Sequence, residues 1–105
     1  MYRVRYHQKL RSAESRNDYL RLSEQLNELA RQRGWREATF WTPTVGSFNE
    51  IVVELEYPDL AAFENESRAL FADPDAADLL LRFGELVDQG WGHSELWEQA
   101  SPIAS

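Results

Sequence analysis

Two stretches of the chain share one skeleton: GWREATFW, starting at Gly34, and GWGHSELW, starting at Gly90, each place a second tryptophan six residues after the first. The first copy follows a segment whose apolar residues, Tyr19, Leu22, Leu26, Leu29 and Ala30, recur at helical spacing. The second follows Leu79, Leu80, Phe83, Leu86 and Val87 in the same rhythm. In each copy the glycine suits a left-handed helix stop, with the tryptophan after it folded back on the last turn. Two halves built as strand, helix, Gly-Trp stop and strand bury their helices most simply on one face of a shared sheet.

The rest of the chain supplies the other strands and the helix ends. Tyr2, Val4, Tyr6 and Leu10 alternate with Arg3, Arg5, His7 and Lys9, the period of a half-buried first strand. Ser15 followed by Asp18 resembles a capping box and opens the first helix. REATFWT reads as a second strand, ended by Pro43. FNEIVVELEYPDLAAFE, from Phe48, opens with a third strand: Ile51, Val53 and Leu55 point one way, and Glu50, Val52, Glu54 and Glu56 the other. Pro58 and Asp59 start a helix, ADPDA interrupts it, and Asp73 with Pro74 restarts it toward Gly90. HSELWE is the fourth strand. The order β-α-β-β-α-β predicts one α+β, ferredoxin-like domain over residues 1–98, its four-stranded antiparallel sheet ordered 4-1-3-2, with residues 99–105 as a loose tail.

Composition narrows the partners. A chain of 105 residues, 43% of them hydrophobic, is long enough for one core. At this size folding buries about two-thirds of the unfolded surface, so an apolar sheet face left over needs a cover. The formal charge of -7 argues against nucleic acid and anionic membrane, which need clustered Lys and Arg. Without cysteine there is no disulfide, thiolate nucleophile or thiolate metal site. MYRVRYHQKL lacks the apolar run of a signal peptide and no stretch reaches membrane-spanning length, so a cytoplasmic location is expected. No nucleophile elbow, phosphate loop or dinucleotide fingerprint occurs.

With both helices on one face, the expected core takes Val4, Tyr6, Phe40, Ile51, Val53, Leu55 and Leu96 from the sheet. The opposite face then collects Arg3, Arg5 and His7, Thr39 and Trp41, Glu50, Val52 and Glu54, and His93, Glu95 and Trp97. Two tryptophans there call for a cover, and a second copy of the sheet is the simplest one, so a homodimer is expected with this face inside. His7, near the end of the first strand, and His93, at the start of the fourth, are expected at one rim, with Glu54 or Glu56 near them. Two imidazoles and a carboxylate can act as acid and base or hold a metal or haem iron; they can equally pair with carboxylates at a seam. Trp41 and Trp97 would stack a planar ligand or fill the interface. Arg3 and Arg5 would anchor a ligand carboxylate or pair with Glu50 and Glu54.

FNEIVVELEYPDLAAFE and the ADPDA break resemble stretches of small dimeric α/β-barrel proteins, the NIPSNAP-like and antibiotic-biosynthesis-monooxygenase-like groups, and the resemblance runs from Tyr2 to about Glu98. It implies two ferredoxin-like sheets packed face to face into a homodimeric barrel whose interior takes small, often aromatic or polyketide-like molecules. Some such proteins are monooxygenases that need no cofactor, and some bind or degrade haem. No catalytic signature of those groups stands in the sequence, so the site rests on the sheet face. His7, His93 and Glu54 are the proton-handling candidates, and Arg3, Arg5, Trp41, Glu50 and Trp97 the ligand-binding ones. No cofactor and no metal are expected, with haem ranked behind. The expectation is a cofactor-independent monooxygenase or related enzyme acting on a small aromatic or polycyclic substrate. The alternative is a non-catalytic ligand-binding or structural homodimer in which the same residues seal the seam.

Overall fold

A computed structural model of the chain describes residues 1–100. Strands β1 (Tyr2–Lys9), β2 (Thr39–Trp41), β3 (Glu50–Tyr57) and β4 (His93–Glu98) form one antiparallel sheet ordered β2-β3-β1-β4. Helices α1 (Arg16–Arg33), α2 (Leu60–Ala72) and α3 (Pro74–Leu86) complete it, which is the expected α+β, ferredoxin-like order read from the other edge. The alternation of the strands sets the layers. Ile51 and Val53 of β3 meet Tyr19, Leu22 and Leu29 of α1 and Leu79 and Phe83 of α3 in one buried cluster. Each such side chain contributes about 1.5–3 kcal/mol relative to exposure, so this cluster fixes which sheet face is inside. Tyr19 sits at its centre, edge-on to Phe83 at 4.9 Å and to Phe40 at 6.1 Å between ring centres.

Most helix ends follow the sequence. The Asp59 carboxylate accepts from the Ala62 N–H at 2.8 Å, and Asp73 accepts from the N–H groups of Asp75 and Ala76 at 2.9 and 3.2 Å, with Pro74 in the first turn. Gly34 takes a left-handed φ of 74°, and the Trp35 N–H reaches back to the Ala30 carbonyl at 2.9 Å.

Four local expectations are corrected. The capping box at Ser15 does not form: Ser15 is already helical at φ -75° and ψ -4°, so its hydroxyl caps nothing. Ser12 instead accepts from the Glu14 N–H and leads a short 3-10 turn into the helix. The second strand begins only at Thr39, because the Asn27 amide clamps the Ala38 backbone, donating to its carbonyl and accepting from its N–H, both at 2.8 Å. The last helix ends at Leu86 rather than Gly90. Val87 bridges to Leu10, the Asp88 N–H donates to the Lys9 carbonyl at 2.7 Å, and the Arg11 N–H takes the Leu86 carbonyl at 3.0 Å. The continuation of β1 thus does the capping. Finally, Tyr6 and Leu96 are 36% and 49% exposed rather than buried in the core; no helix packs closely on β4, the edge strand that carries Leu96.

The Gln99 N–H donates to the Met1 carbonyl at 2.8 Å, so the first residue of the expected tail extends the sheet; residues 101–105 lie outside the described residues. Among the described residues no helix is long and apolar enough to cross a membrane.

Candidate functional site

The helix-free face of the sheet carries the charged and aromatic residues that the alternation placed there. The register pairs Arg3 with Glu56 and Trp97, Arg5 with Glu54 and Glu95, His7 with Val52 and His93, and Lys9 with Glu50. Trp41, opposite Val52, and Trp97 are 55% and 53% exposed on this face. Both of its arginines are paired within the sheet. Arg3 pairs with Glu56 rather than Glu50, and Arg5 Nε donates to Glu54 Oε2 at 2.5 Å. The Arg5 guanidinium also lies 5.8 Å from the centre of the Trp97 ring.

His7 and His93 come together as expected, their rings stacked at 4.2 Å and 11° from parallel. Glu54 does not join them. The strands β1 and β3 run antiparallel, so Glu54 lies level with Arg5, and Glu56 falls still farther from the histidine end. The carboxylate at the histidines is Glu95, with Oε1 2.5 Å from His7 Nε2.

Arg3, Arg5 and Trp97 border one shallow hollow on this face and Arg3, Trp41 and Glu54 another, but the pocket with aromatic walls lies on the other side of the sheet. A cavity of about 240 Å³ opens between the sheet and the helices, walled by Tyr6, Tyr19, Trp35, Phe40 and Phe83. Polar groups from Gln8, Asn27, Arg36 and Glu66 enter the same space. The Tyr19 hydroxyl donates to Gln8 Oε1, and the Asn27 amide is held by Ala38. Burial pushes the Tyr19 hydroxyl pKa far up and that of Tyr57 up to about 12; the nearby Glu66 carboxylate adds to the Tyr57 shift and Arg36 opposes it. Both phenols are therefore donors at neutral pH. Glu66 is different. Its Oε1 accepts from the Arg36 N–H at 3.2 Å, whereas no group among the described residues donates to its buried Oε2.

None of the residues expected to bind ligand, Arg3, Arg5, Trp41, Glu50 and Trp97, lines this cavity. The cavity residues had a signal in the sequence: Gln8, Asn27 and Glu66 each interrupt an apolar stripe, Gln8 between Tyr6 and Leu10, and Glu66 between Phe63 and Leu70. A larger groove of about 930 Å³ between α1 and α3 is rimmed by charges that pair among themselves, such as Arg31 with Glu28 and Arg82 with Asp78, and so lacks the aromatic walls and the buried free acceptor of the smaller cavity.

The structure is similar to a NIPSNAP domain protein from Burkholderia xenovorans, at 18% identity and a TM-score of 0.77 over the whole of both chains. A NIPSNAP family protein from Agrobacterium tumefaciens gives 15% and 0.74, covering 99% of this chain and 100% of the other. A protein described as an antibiotic biosynthesis monooxygenase gives 20% and 0.73, covering 96% of this chain and 100% of its own. At these identities the likeness is one of fold. No curated protein matches in sequence. The NIPSNAP family model matches residues 4–90, which take in three of the four strands and all three helices, and the chain therefore belongs to the NIPSNAP family.

Proposed function

We propose that the protein binds a one- or two-ring aromatic molecule carrying a hydroxyl or amine in the helix-side cavity, and that two copies pack through the open sheet face. The carrying observation is Glu66 Oε2, a buried carboxylate oxygen on an aromatic-walled cavity with no donor among the described residues. Leaving such an atom without a partner costs about 1–3 kcal/mol or more, which a ligand donor would recover.

Volume sets the ligand size. An apolar cavity of about 150 Å³ takes benzene, so scaling by carbon count puts two fused rings at about 250 Å³ and three at about 350 Å³. The cavity of about 240 Å³ suits the first and not the second. Haem, with four pyrrole rings and their bridges, is larger still and does not fit it.

The fold shared with an antibiotic biosynthesis monooxygenase supports cofactor-free oxygenation as the reaction. Glu66 would take the proton of a ring hydroxyl, as a base within hydrogen-bond reach of its substrate does. The electron-rich ring anion then reduces dioxygen. One oxygen atom enters the ring as a quinone carbonyl and the other leaves as water, the two hydrogens coming from the hydroxyl and the substituted carbon. His7, His93 and Glu54 have no part in this scheme.

The open face supports the dimer. Its three cations, Arg3, Arg5 and Lys9, stand against four carboxylates, Glu50, Glu54, Glu56 and Glu95, so the face is close to neutral and two half-exposed tryptophans can be covered without stranding charge.

The test uses 1-naphthol, followed by its fluorescence. Saturable binding of one molecule per chain is expected, at least about tenfold tighter than naphthalene, since a hydrogen bond to a charged acceptor is worth about 1.5–3 kcal/mol. Glu66→Met should abolish that preference. Absence of saturable binding, or an unchanged preference in the variant, overturns the binding reading. Oxygen uptake no faster than the protein-free control removes the oxygenase step alone.

A further inference from the structure

The geometry points to a divalent transition-metal site on the open sheet face, built by His7, His93 and Glu95. It is independent of the cavity, which lies across the sheet. The strands themselves bring the three ligands together. His7 and His93 are direct partners in the β1–β4 ladder, and Glu95 follows His93 by two residues, so it projects from the same face. One potential ligand atom from each, two imidazole nitrogens and a carboxylate oxygen, all lie within 4.8 Å of one another.

The local charges leave this cluster short of a cation. Arg5, level with Glu95 on β1, is turned to Glu54 and lies over Trp97. Lys9, the next cation along the same face, lays its ammonium over Trp91, 5.8 Å from the ring centre. Among the described residues Glu95 pairs with no arginine or lysine, only with His7 Nε2. A carboxylate that two neighbouring cations bypass, set beside two imidazoles, is an electrostatic place for a metal ion.

Little movement is needed. Ligand atoms about 2.0–2.1 Å from a tetrahedral zinc stand about 3.4 Å apart, so the widest separation, at most 4.8 Å, must close by no more than about 1.4 Å. The two stacked rings must also open into a wedge so that their lone pairs converge on one point. In the single chain His93 is exposed and the side chains of His7 and Glu95 are 26% and 34% exposed, so rotation about their side-chain bonds achieves both without moving the sheet, before two copies pack on this face as proposed above. The donor set selects the ion. Imidazole with carboxylate suits zinc, nickel, cobalt or copper, whereas magnesium and calcium favour all-oxygen shells. Three protein ligands leave a fourth position for water, the ligand count of an open rather than a closed structural site.

The ordinary alternative is a His7–Glu95 ion pair with His93 stacked on it and no metal. Untagged, metal-stripped protein titrated with Zn²⁺ against a chromophoric chelator separates the two. The expected result is one Zn²⁺ per chain, with Co²⁺ giving the intense visible bands of tetrahedral coordination and Mg²⁺ failing to compete. His93→Ala and Glu95→Gln should each weaken Zn²⁺ binding by more than about tenfold, since even groups that only orient a ligand cost that much. Their metal-free thermal unfolding should match the parent, showing that the loss is not unfolding. Zn²⁺ binding absent from the parent, or retained undiminished in His93→Ala, overturns the site.

Discussion

Replacing Glu66 by methionine should stabilise the ligand-free protein, which runs against the usual effect of a substitution. Most single changes destabilise by about 1 kcal/mol, so the sign alone is informative. The parent holds a carboxylate oxygen buried without a donor among the described residues, at a cost of about 1–3 kcal/mol or more for a charged acceptor. Methionine removes that cost and lays an apolar chain of similar length against Trp35 and Phe40 on the cavity wall. What is lost is the acceptor for the Arg36 N–H, but that bond is exposed and water replaces it at little net expense. The balance is a gain of about 1–3 kcal/mol. For a domain near this size each kilocalorie shifts Tm by about 4–8 °C, so a rise of at least about 4 °C is expected, with a higher urea midpoint at unchanged slope. Adding 1-naphthol should narrow the gap, because the ligand stabilises the parent and not the variant. A fall in Tm, or no change, refutes the reasoning: Glu66 Oε2 would then be satisfied in solution and the cavity would lack the group that selects its ligand.

Three further outcomes follow from neighbouring features. Asn27→Ala strips both partners from the Ala38 backbone and should cost about 1–3 kcal/mol in urea unfolding; a loss below about half a kilocalorie would show the clamp to be unimportant. The Tyr57 hydroxyl is raised from 10.0 to about 12, chiefly by burial, so its contribution is present in full below pH 10 and is lost as pH rises through about 12. Stability should fall across that window by at most about 1.4 kcal/mol per pH unit from this group, and Tyr57→Phe should flatten the fall, with Tyr6 and Tyr19, raised in the same direction, leaving a residual slope. Trp41→Glu with Trp97→Glu should yield monomers by analytical ultracentrifugation with an unchanged circular dichroism spectrum; a dimer that survives both changes is not built on this face.

Alternation and capping made the fold legible. A period of two in Tyr2–Lys9 and Glu50–Tyr57 assigned every residue of the central strands to a face, and Asp59, Asp73 and Gly34 marked helix ends that the structure uses. The longer-range misses share a cause: each was decided by a partner distant in sequence. Gly90 has the chemistry of a stop, yet the helix ends four residues earlier because Leu10 and Lys9 supply the competing backbone partners for Val87 and Asp88. Arg36 and Glu37 lost their expected place in β2 because the Asn27 amide on α1 holds the backbone just ahead of Thr39. The alternation likewise fixed the face of Glu54 but not its level along β1, and antiparallel pairing moved it two rungs from the histidines.

The proposed cavity lies across the sheet from the expected site for a related reason. Charge and tryptophan on the open face looked functional, but on a sheet such groups sit close enough to satisfy one another, as Arg3 with Glu56 and Arg5 with Glu54 do. An arginine and a glutamate held to each other in this way have less to give a ligand carboxylate. The informative residues are the polar ones that break an apolar stripe, because the helix-side layer offers them few partners. Gln8 and Asn27 found partners in Tyr19 and Ala38 and so support the walls; Glu66 kept one oxygen without a donor among the described residues and so is the group left to meet a ligand. A sequence shows that a polar residue lies on a buried stripe, but whether its last hydrogen bond is made depends on how the helices seat on the twisted sheet. The proposed site is therefore written in the sequence as candidates, and only packing singles out Glu66 among them.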